Sequence, residues 1–337
     1  MTAYLAAVGS YLPPTTGIEA AVAKRRYRAE EAAAQDWAGS AVAGDTPAPE
    51  MALLAAQEAY KRCGRRPADT DLLLYVNTWH QGPDGWQPQY HLQRHLVGGA
   101  TLAVQVQQGS TGMFGALALA ARYLTADPDR QAALLVAADN FGTPLFKRWS
   151  AGPGQIAGDA ATAALLTREP GFAELLAVQV ATYTEDEELY RAGEPLFPPG
   201  ATAGRGVDFG RRAAAYRKDV PTLLAEAGAR LREVAHRALA EAGVDPGRVT
   251  RVAGPAAGRV AVTALLAALG LPEAAGTWAF ARNVGQLGAS DQIAALDHLL
   301  TGGELRPGDH VLLLGHGPGV TVAAAVVRIR HAPPWYG

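Results

Sequence analysis

An α/β fold built from two like halves is what the sequence predicts, and three observations carry that expectation. DLLLYVNTW (71–79) is a continuous apolar run of strand length, as a sheet covered on both faces requires. VQVQQGSTGMFGALALAARYL (104–124) runs from an apolar strand through a cramped glycine turn into a long Ala/Leu helix. The last third then echoes the first half. TWAFARNVGQLGASDQIAALDHLLTGG reads as strand, glycine turn and helix, and HVLLLGHGPGVTVAAAVVRI as strand, glycine turn and strand. Such an echo with no linker between its parts predicts an internal duplication forming one layered body. The first half is placed at residues 1–170, with the Ser110 turn, and the second at 171–337.

Taken in order, AYLAAVGSYLPP is an opening strand stopped by Pro13 and Pro14. Residues 17–48 are polar and Ala-rich, an outlying helical or loop segment. PEMALLAAQEAYKRCG has the 3.6-residue period of an amphipathic helix, started by Pro49. The loop HQGPDGWQPQY and a short helix HLQRHLVGG separate DLLLYVNTW from the Ser110 turn. ALLVAADNF is a further strand, and GDAATAALLT a glycine turn feeding another. The stretch from about 180 to 215 is rich in Gly, Pro and charge and reads as a long surface excursion. PTLLAEAGARLREVAHRALAEAGV resumes as a long helix, and RVAGPAAGRVAVTALLAALGL gives strand, loop and helix.

Composition narrows the function. With 337 residues, 49% of them hydrophobic, the chain can bury a sizeable core. Its 30 basic and 32 acidic residues nearly cancel and form no basic stripe, which argues against nucleic acid as a partner. A single cysteine, Cys63, excludes an intrachain disulfide framework and a Cys-based metal site. MTAYLAAVGSYLPP has no charged leader and reads as a strand, not a signal peptide. Runs such as VAVTALLAALGL are too short to span a membrane. A cytoplasmic protein with no membrane partner and no metal is expected.

The chemistry centres on Ser110, a small hydroxyl flanked by Gly109 and Gly112 where a buried strand hands over to a buried helix. Such a turn lifts a side chain clear of the sheet, and the helix start supplies unpaired N–H groups. Close packing would also explain a small residue there.

With the duplication, the Ser110 turn and the closing GHGPGVTVAAAVVRI together, the chain resembles the thiolase superfamily. It is most similar to the ketoacyl-ACP synthase III-like proteins of actinobacterial polyketide and specialised-metabolite pathways. The likeness runs almost end to end and implies a layered αβαβα fold. It sets Ser110 at the position of the family's nucleophilic Cys. The family's His falls in AGPAAGR on Gly254 or Ala256, and its Asn, or a neighbouring His and downstream Asp, falls on Gln286 and Asp291. The second oxyanion-hole donor, a backbone N–H, falls on Pro318, which has none; two residues before it stands His316.

These replacements argue against decarboxylative condensation, which needs a thiolate and donors for an enolate. Acyl transfer asks for a nucleophile, a base and an oxyanion donor. Ser110 is the expected nucleophile, His316 the first choice of base and His80 the second. Asp291 either orients the imidazole, acts on an acceptor hydroxyl, or caps the helix DQIAALDHLL. Trp86, Gln286 and Thr111 are expected beside the substrate. The resemblance implies no resident cofactor. It implies an acyl donor on the phosphopantetheine of an acyl carrier protein or of coenzyme A, a small hydroxyl or amine acceptor, and a homodimer. Two other functions stay open: a catalytically silent partner protein, and a pocket repurposed for cyclisation or amide formation without an acyl-enzyme.

Overall fold

The computed structural model describes residues 3–152, 154–318, 320–333 and 335. Strand β1 (Ala3–Tyr11) leads to a small two-stranded sheet, β2 (Thr15–Gly17) with β3 (Gly39–Ala41), enclosing α1 (Ile18–Ala23) and α2 (Ala29–Gln35). Then follow α3 (Ala48–Cys63), β4 (Leu72–Val76), α4 (Gln89–Leu92), β5 (Leu102–Val106), α5 (Gly112–Thr125), β6 (Ala132–Asp139) and β7 (Ala160–Thr167). The remainder is β8 (Ala173–Thr182), α6 (Phe209–Ala215), α7 (Val220–Ala242), β9 (Val249–Ala253), α8 (Arg259–Ala268), α9 (Trp278–Val284), α10 (Asp291–Thr301), β10 (His310–Gly317) and β11 (Thr321–Ile329).

Nine strands form one sheet in the order β5-β4-β6-β7-β1-β8-β11-β10-β9. Its middle is thin, because β1 meets β8 only through Ala3–Leu5 against Ala173–Leu175. On either side of that seam the order of strands mirrors. A parallel core (β5, β4 and β6 on one side, β9 and β10 on the other) is followed by an antiparallel strand, β7 or β11.

Side-chain alternation along the strands sets the layers. Leu73, Tyr75, Leu134 and Val136 pack on α3, whereas Leu72, Leu74, Leu135 and Ala137 face α5 and α10. Across the seam Val311, Leu313, Ala323 and Ala325 face the same two central helices, and Leu312, Leu314, Val322 and Ala324 pack beneath α7 and α8. The result is five layers: α3, sheet, α5 with α10, sheet, then α7 with α8. Both faces of β4, β6, β7, β10 and β11 are covered over nearly their whole length, so their sequences carry little polar alternation, whereas β5 and β9 lie at the sheet's edges.

Two elements differ from the sequence-based expectation. TWAF begins no strand: Trp278, Ala281 and Val284 are buried at helical spacing in α9, where Trp278 and Arg282 also bond to Asp36. The excursion after residue 180 is partly ordered as a 3₁₀ segment (Thr184–Tyr190) and α6, and it folds back over the sheet end. Among the described residues no helix is long and apolar enough to cross a membrane.

Candidate active site

At the carboxyl ends of the central strands, the chain after β5 makes one 3₁₀ turn, Gly109–Thr111, before α5 begins. Gly109 has φ +59°, a conformation that L side chains rarely adopt, and a Cβ there would overlap the ring of Pro318. A Cβ on Gly317 would lie 3.1 Å from Thr111 Oγ1 and 3.4 Å from the Ser110 amide nitrogen. The end of β10 is therefore bare where the Ser110 turn rests on it.

Ser110 lines a cavity of about 250 Å³ together with Gln286, His316 and Pro318. Gln286 Nε2 donates to Ser110 Oγ at 2.8 Å. The Gln286 backbone is clamped at both ends: its N–H donates to Ile156 O at 2.9 Å, and its carbonyl accepts from Gly158 N at 2.8 Å. His316 approaches from the opposite face of β10, since Gly315 and Gly317 turn toward α5 and the intervening side chain turns toward α7. No hydrogen bond joins His316 to Ser110 among the described residues. Burial pushes the His316 imidazole down to about 4, and the nearby Arg230 charge pushes the same way, so the ring is neutral at physiological pH.

The other expected residues stand apart from this cavity. Asp291 is the first residue of α10, not its cap. Its buried carboxylate accepts from Leu287 N at 2.7 Å and Ala256 N at 3.3 Å, tying the loop after β9 to the loop of Gln286. Burial pushes that carboxyl up to about 7 against those two hydrogen bonds. Thr111 is fully buried, and its hydroxyl donates to Gln108 O at 3.0 Å. His80 is exposed, its ring edge-on to Trp79 at 4.8 Å, and Trp86 is also exposed, set against His91. Neither lines the cavity.

Sequence reasoning missed the rest of the wall. Trp79, one residue before His80, lines the cavity with Phe141 and Phe146. Leu189, Tyr190, Phe209 and Ala213 of the excursion form another side, and Leu223, Leu224, Ala227 and Arg230 of α7 close the end. Asp186 holds that side in place. Its carboxylate, fully buried as a residue, receives Arg230 Nη1 at 2.8 Å, Tyr216 Oη at 2.9 Å and Lys218 Nζ at 3.0 Å. Burial alone would raise this carboxyl, but the donors from Arg230, Lys218 and Tyr216 outweigh it and bring it down to about 2. A signal for this wall existed in the apolar residues scattered through TEDEELY and VDFG, masked by the charges around them. Among the described residues no group of three or more His, Cys, Asp or Glu is placed to hold a metal ion.

Comparison with known proteins agrees with the architecture. Residues 239–329 match the family described as 3-oxoacyl-[acyl-carrier-protein (ACP)] synthase III C terminal. Among solved structures, ChlB3, an acyltransferase, is 55% identical over 99% of this chain and 100% of its own, with a TM-score of 0.93. The 3-oxoacyl-(acyl carrier protein) synthase III FabH of Pseudomonas aeruginosa is 22% identical over 98% of this chain and 99% of its own, TM-score 0.81. OleA of Xanthomonas campestris, solved with lauric acid and lauroyl-CoA, is 17% identical over 97% and 99%, TM-score 0.79. No curated protein matches the chain. The five-layer body, the serine at the strand-to-helix turn and the 55% identity with ChlB3 over nearly the whole chain place it in the ketoacyl-ACP synthase III-like family of the thiolase superfamily.

Proposed function

We propose that the protein is an acyltransferase of a specialised-metabolite, polyketide-like pathway. In this reading Ser110 takes an acyl group from an acyl carrier protein or coenzyme A thioester and passes it to a hydroxyl or amine. The observation that carries this is the 2.8 Å hydrogen bond from Gln286 Nε2 to Ser110 Oγ at the cavity wall. An amide that donates to Oγ leaves the hydroxyl's own hydrogen free for a base. His316 lines the same cavity and is the proposed base, its imidazole neutral but made a weaker proton acceptor by burial and the Arg230 charge. The similarity to ChlB3, an acyltransferase, supports the same reading.

Ser110 Oγ bonds to the thioester carbonyl carbon while its proton passes to His316. The carbon–sulfur bond of the tetrahedral intermediate then breaks, and the departing thiolate takes the proton back from the imidazolium. The acceptor hydroxyl or amine repeats the sequence in reverse, giving its proton to His316 and returning Ser110 to its free form. The Gln286 amide is already in contact with the reacting oxygen and is the proposed side-chain donor to the oxyanion. Hydrogen bonds between nucleophile and base in free enzymes are commonly long and tighten only around substrate.

A homodimer is part of the proposal. Strand β5 forms one edge of the nine-stranded sheet and exposes Leu102 and Val104, an apolar edge of the kind that pairs with another strand. One observation favours a silent binding protein instead: Pro318 abuts the Ser110 turn and has no N–H to give an oxyanion. Incubation with acyl-CoA donors of several chain lengths separates the two. Intact mass should show one acyl group on the wild-type protein and none on Ser110→Ala. A wild type that stays unmodified with every donor, while Ser110→Ala still supports product formation in the pathway, favours the silent protein.

A further inference from the structure

We propose that Asp139 is a positioning residue of the Ser110 site, holding together the two loops that carry Trp79 and Gln286. Asp139 ends β6, away from the reacting oxygen, with none of its surface exposed. Its Oδ1 accepts the backbone N–H of Thr78 and of Trp79, each at 2.8 Å. Its Oδ2 lies against the turn that follows Gln286. A Cβ on Gly288, whose φ is +60°, would overlap Oδ2 and come within 3.1 Å of Thr78 Oγ1. One residue past that turn's Ala289, Ser290 Oγ donates to the carbonyl of Ala137 at 3.2 Å. The end of β6 thus touches both loops: one delivers Trp79 to the cavity, the other Gln286 to Ser110.

A role in stability alone does not account for this side chain. Asp139 Oδ2 and Thr78 Oγ1 are both buried without a hydrogen bond of full geometry, although the Thr78 hydroxyl and the Ala289 N–H both lie close enough to favour the charged carboxyl. Buried polar atoms left unpaired are costly, and an apolar residue of the same size would remove the cost. A leucine, however, could not accept the two N–H groups of the Trp79 loop. The carboxyl also lies directly against Gly288, so the turn after Gln286 packs on it.

Two variants test the proposal. Asp139→Asn keeps an oxygen for the Thr78 and Trp79 amides and turns an N–H toward Thr78 Oγ1. Asp139→Ala removes both contacts. The kinetic measurement rests on the acyl-transfer reading above, and crystal structures of the free variants do not. In Asp139→Ala the Ser110 Oγ to Gln286 Nε2 distance should open beyond about 3.5 Å, the limit of a hydrogen bond. Its kcat for acyl-CoA should fall about 100-fold, with a smaller rise in KM, while Asp139→Asn stays within about threefold of wild type. If Asp139→Ala does not fold, Asp139→Ser, which fits but is too short to reach both amides, takes its place. An alanine or serine variant that keeps the short Gln286 contact and the wild-type kcat overturns the proposal. A wild-type protein that no thioester acylates overturns the transfer reading instead, and the crystal structures still decide the role of Asp139.

Discussion

Two turns in this molecule have nearly the same backbone and opposite fates. Gly109, at φ +59°, opens a three-residue 3₁₀ turn into α5; Gly288, at φ +60°, opens a three-residue 3₁₀ turn into α10. Each rests on the last residue of a strand from the other side of the seam: Gly317 of β10 under the first, Asp139 of β6 under the second. After the glycine comes Ser110 in one and Ala289 in the other. The duplicated fold therefore builds one cradle twice. Where the strand ends in Gly317, the Ser110 turn rests on bare backbone with the Pro318 ring beneath Gly109, and the turn presents a hydroxyl; where it ends in Asp139, a carboxyl lies beneath Gly288 and the turn becomes a support. Side-chain differences, not a different backbone, separate the proposed reactive turn from its structural twin.

The largest test of that contrast is chemical. Ser110→Ala should lower acyl-adduct formation by about 10³-fold or more, and Ala289→Ser should create no second acylated site, as peptide mapping of the acylated protein can show. An adduct on the hydroxyl introduced by Ala289→Ser would mean that Asp139 does not close the cradle. Next in size is the wall that only the Ser110 side possesses. Asp186→Asn removes the negative charge shared by Arg230, Lys218 and Arg217 and one of the two acceptor oxygens. Because the three cations are partly exposed, losing the charge costs about 1–3 kcal/mol. Urea unfolding should register the loss, limited proteolysis should cut within 191–207, and KM for the acyl donor should rise.

Smaller effects test the glycines. Gly109→Ala and Gly288→Ala should each destabilise the fold by about 1–3 kcal/mol, because both force a Cβ into positive φ and into a neighbour. Pro318→Ala should recover part of the loss in the first and none in the second, a double-mutant result that thermal unfolding can read. Smallest is a pH effect confined to the filled cradle. Burial raises the Asp139 carboxyl from its ordinary 3.8 to about 7, against the hydrogen bonds from Thr78 and Trp79. The protonated form therefore favours folding: its contribution is complete below about pH 4 and is lost as pH rises through 7. Between those values wild type should lose stability relative to Asp139→Asn, by at most about 1.4 kcal/mol per pH unit. A difference that stays flat from pH 4 to 7 would show the carboxyl to be charged throughout.

The architecture was legible in the sequence because burial on both faces leaves a simple trace. Leu72–Val76, Ala132–Asp139 and Thr321–Ile329 are runs with no polar alternation, and the glycine before Ser110 marks a turn that only positive φ allows. TWAF misled because four residues cannot distinguish the two periods; Trp278, Ala281 and Val284 show the helical one only when read together. The site was legible at Ser110 and Gln286, which lie beside glycine turns and meet 176 residues apart. It was not legible at Asp186 and Arg230, 44 residues apart in a segment whose charge suggested solvent. His80 and Trp86 drew attention through their neighbourhood, but the strand before them ends by turning Trp79 inward and leaves the next loop outside.

The three-residue join between β1 and β8 has a consequence for how such a protein can be taken apart. Ser110 belongs to one side of that join; Gln286, His316 and Pro318 belong to the other. A chain cut in the loop between β7 and β8 would yield two fragments, each with half the reagents and an uncovered face of central helix. Neither alone should be acylated by a thioester, yet mixing them should regenerate the whole, since the proposed reactive centre is a property of the meeting and not of either piece.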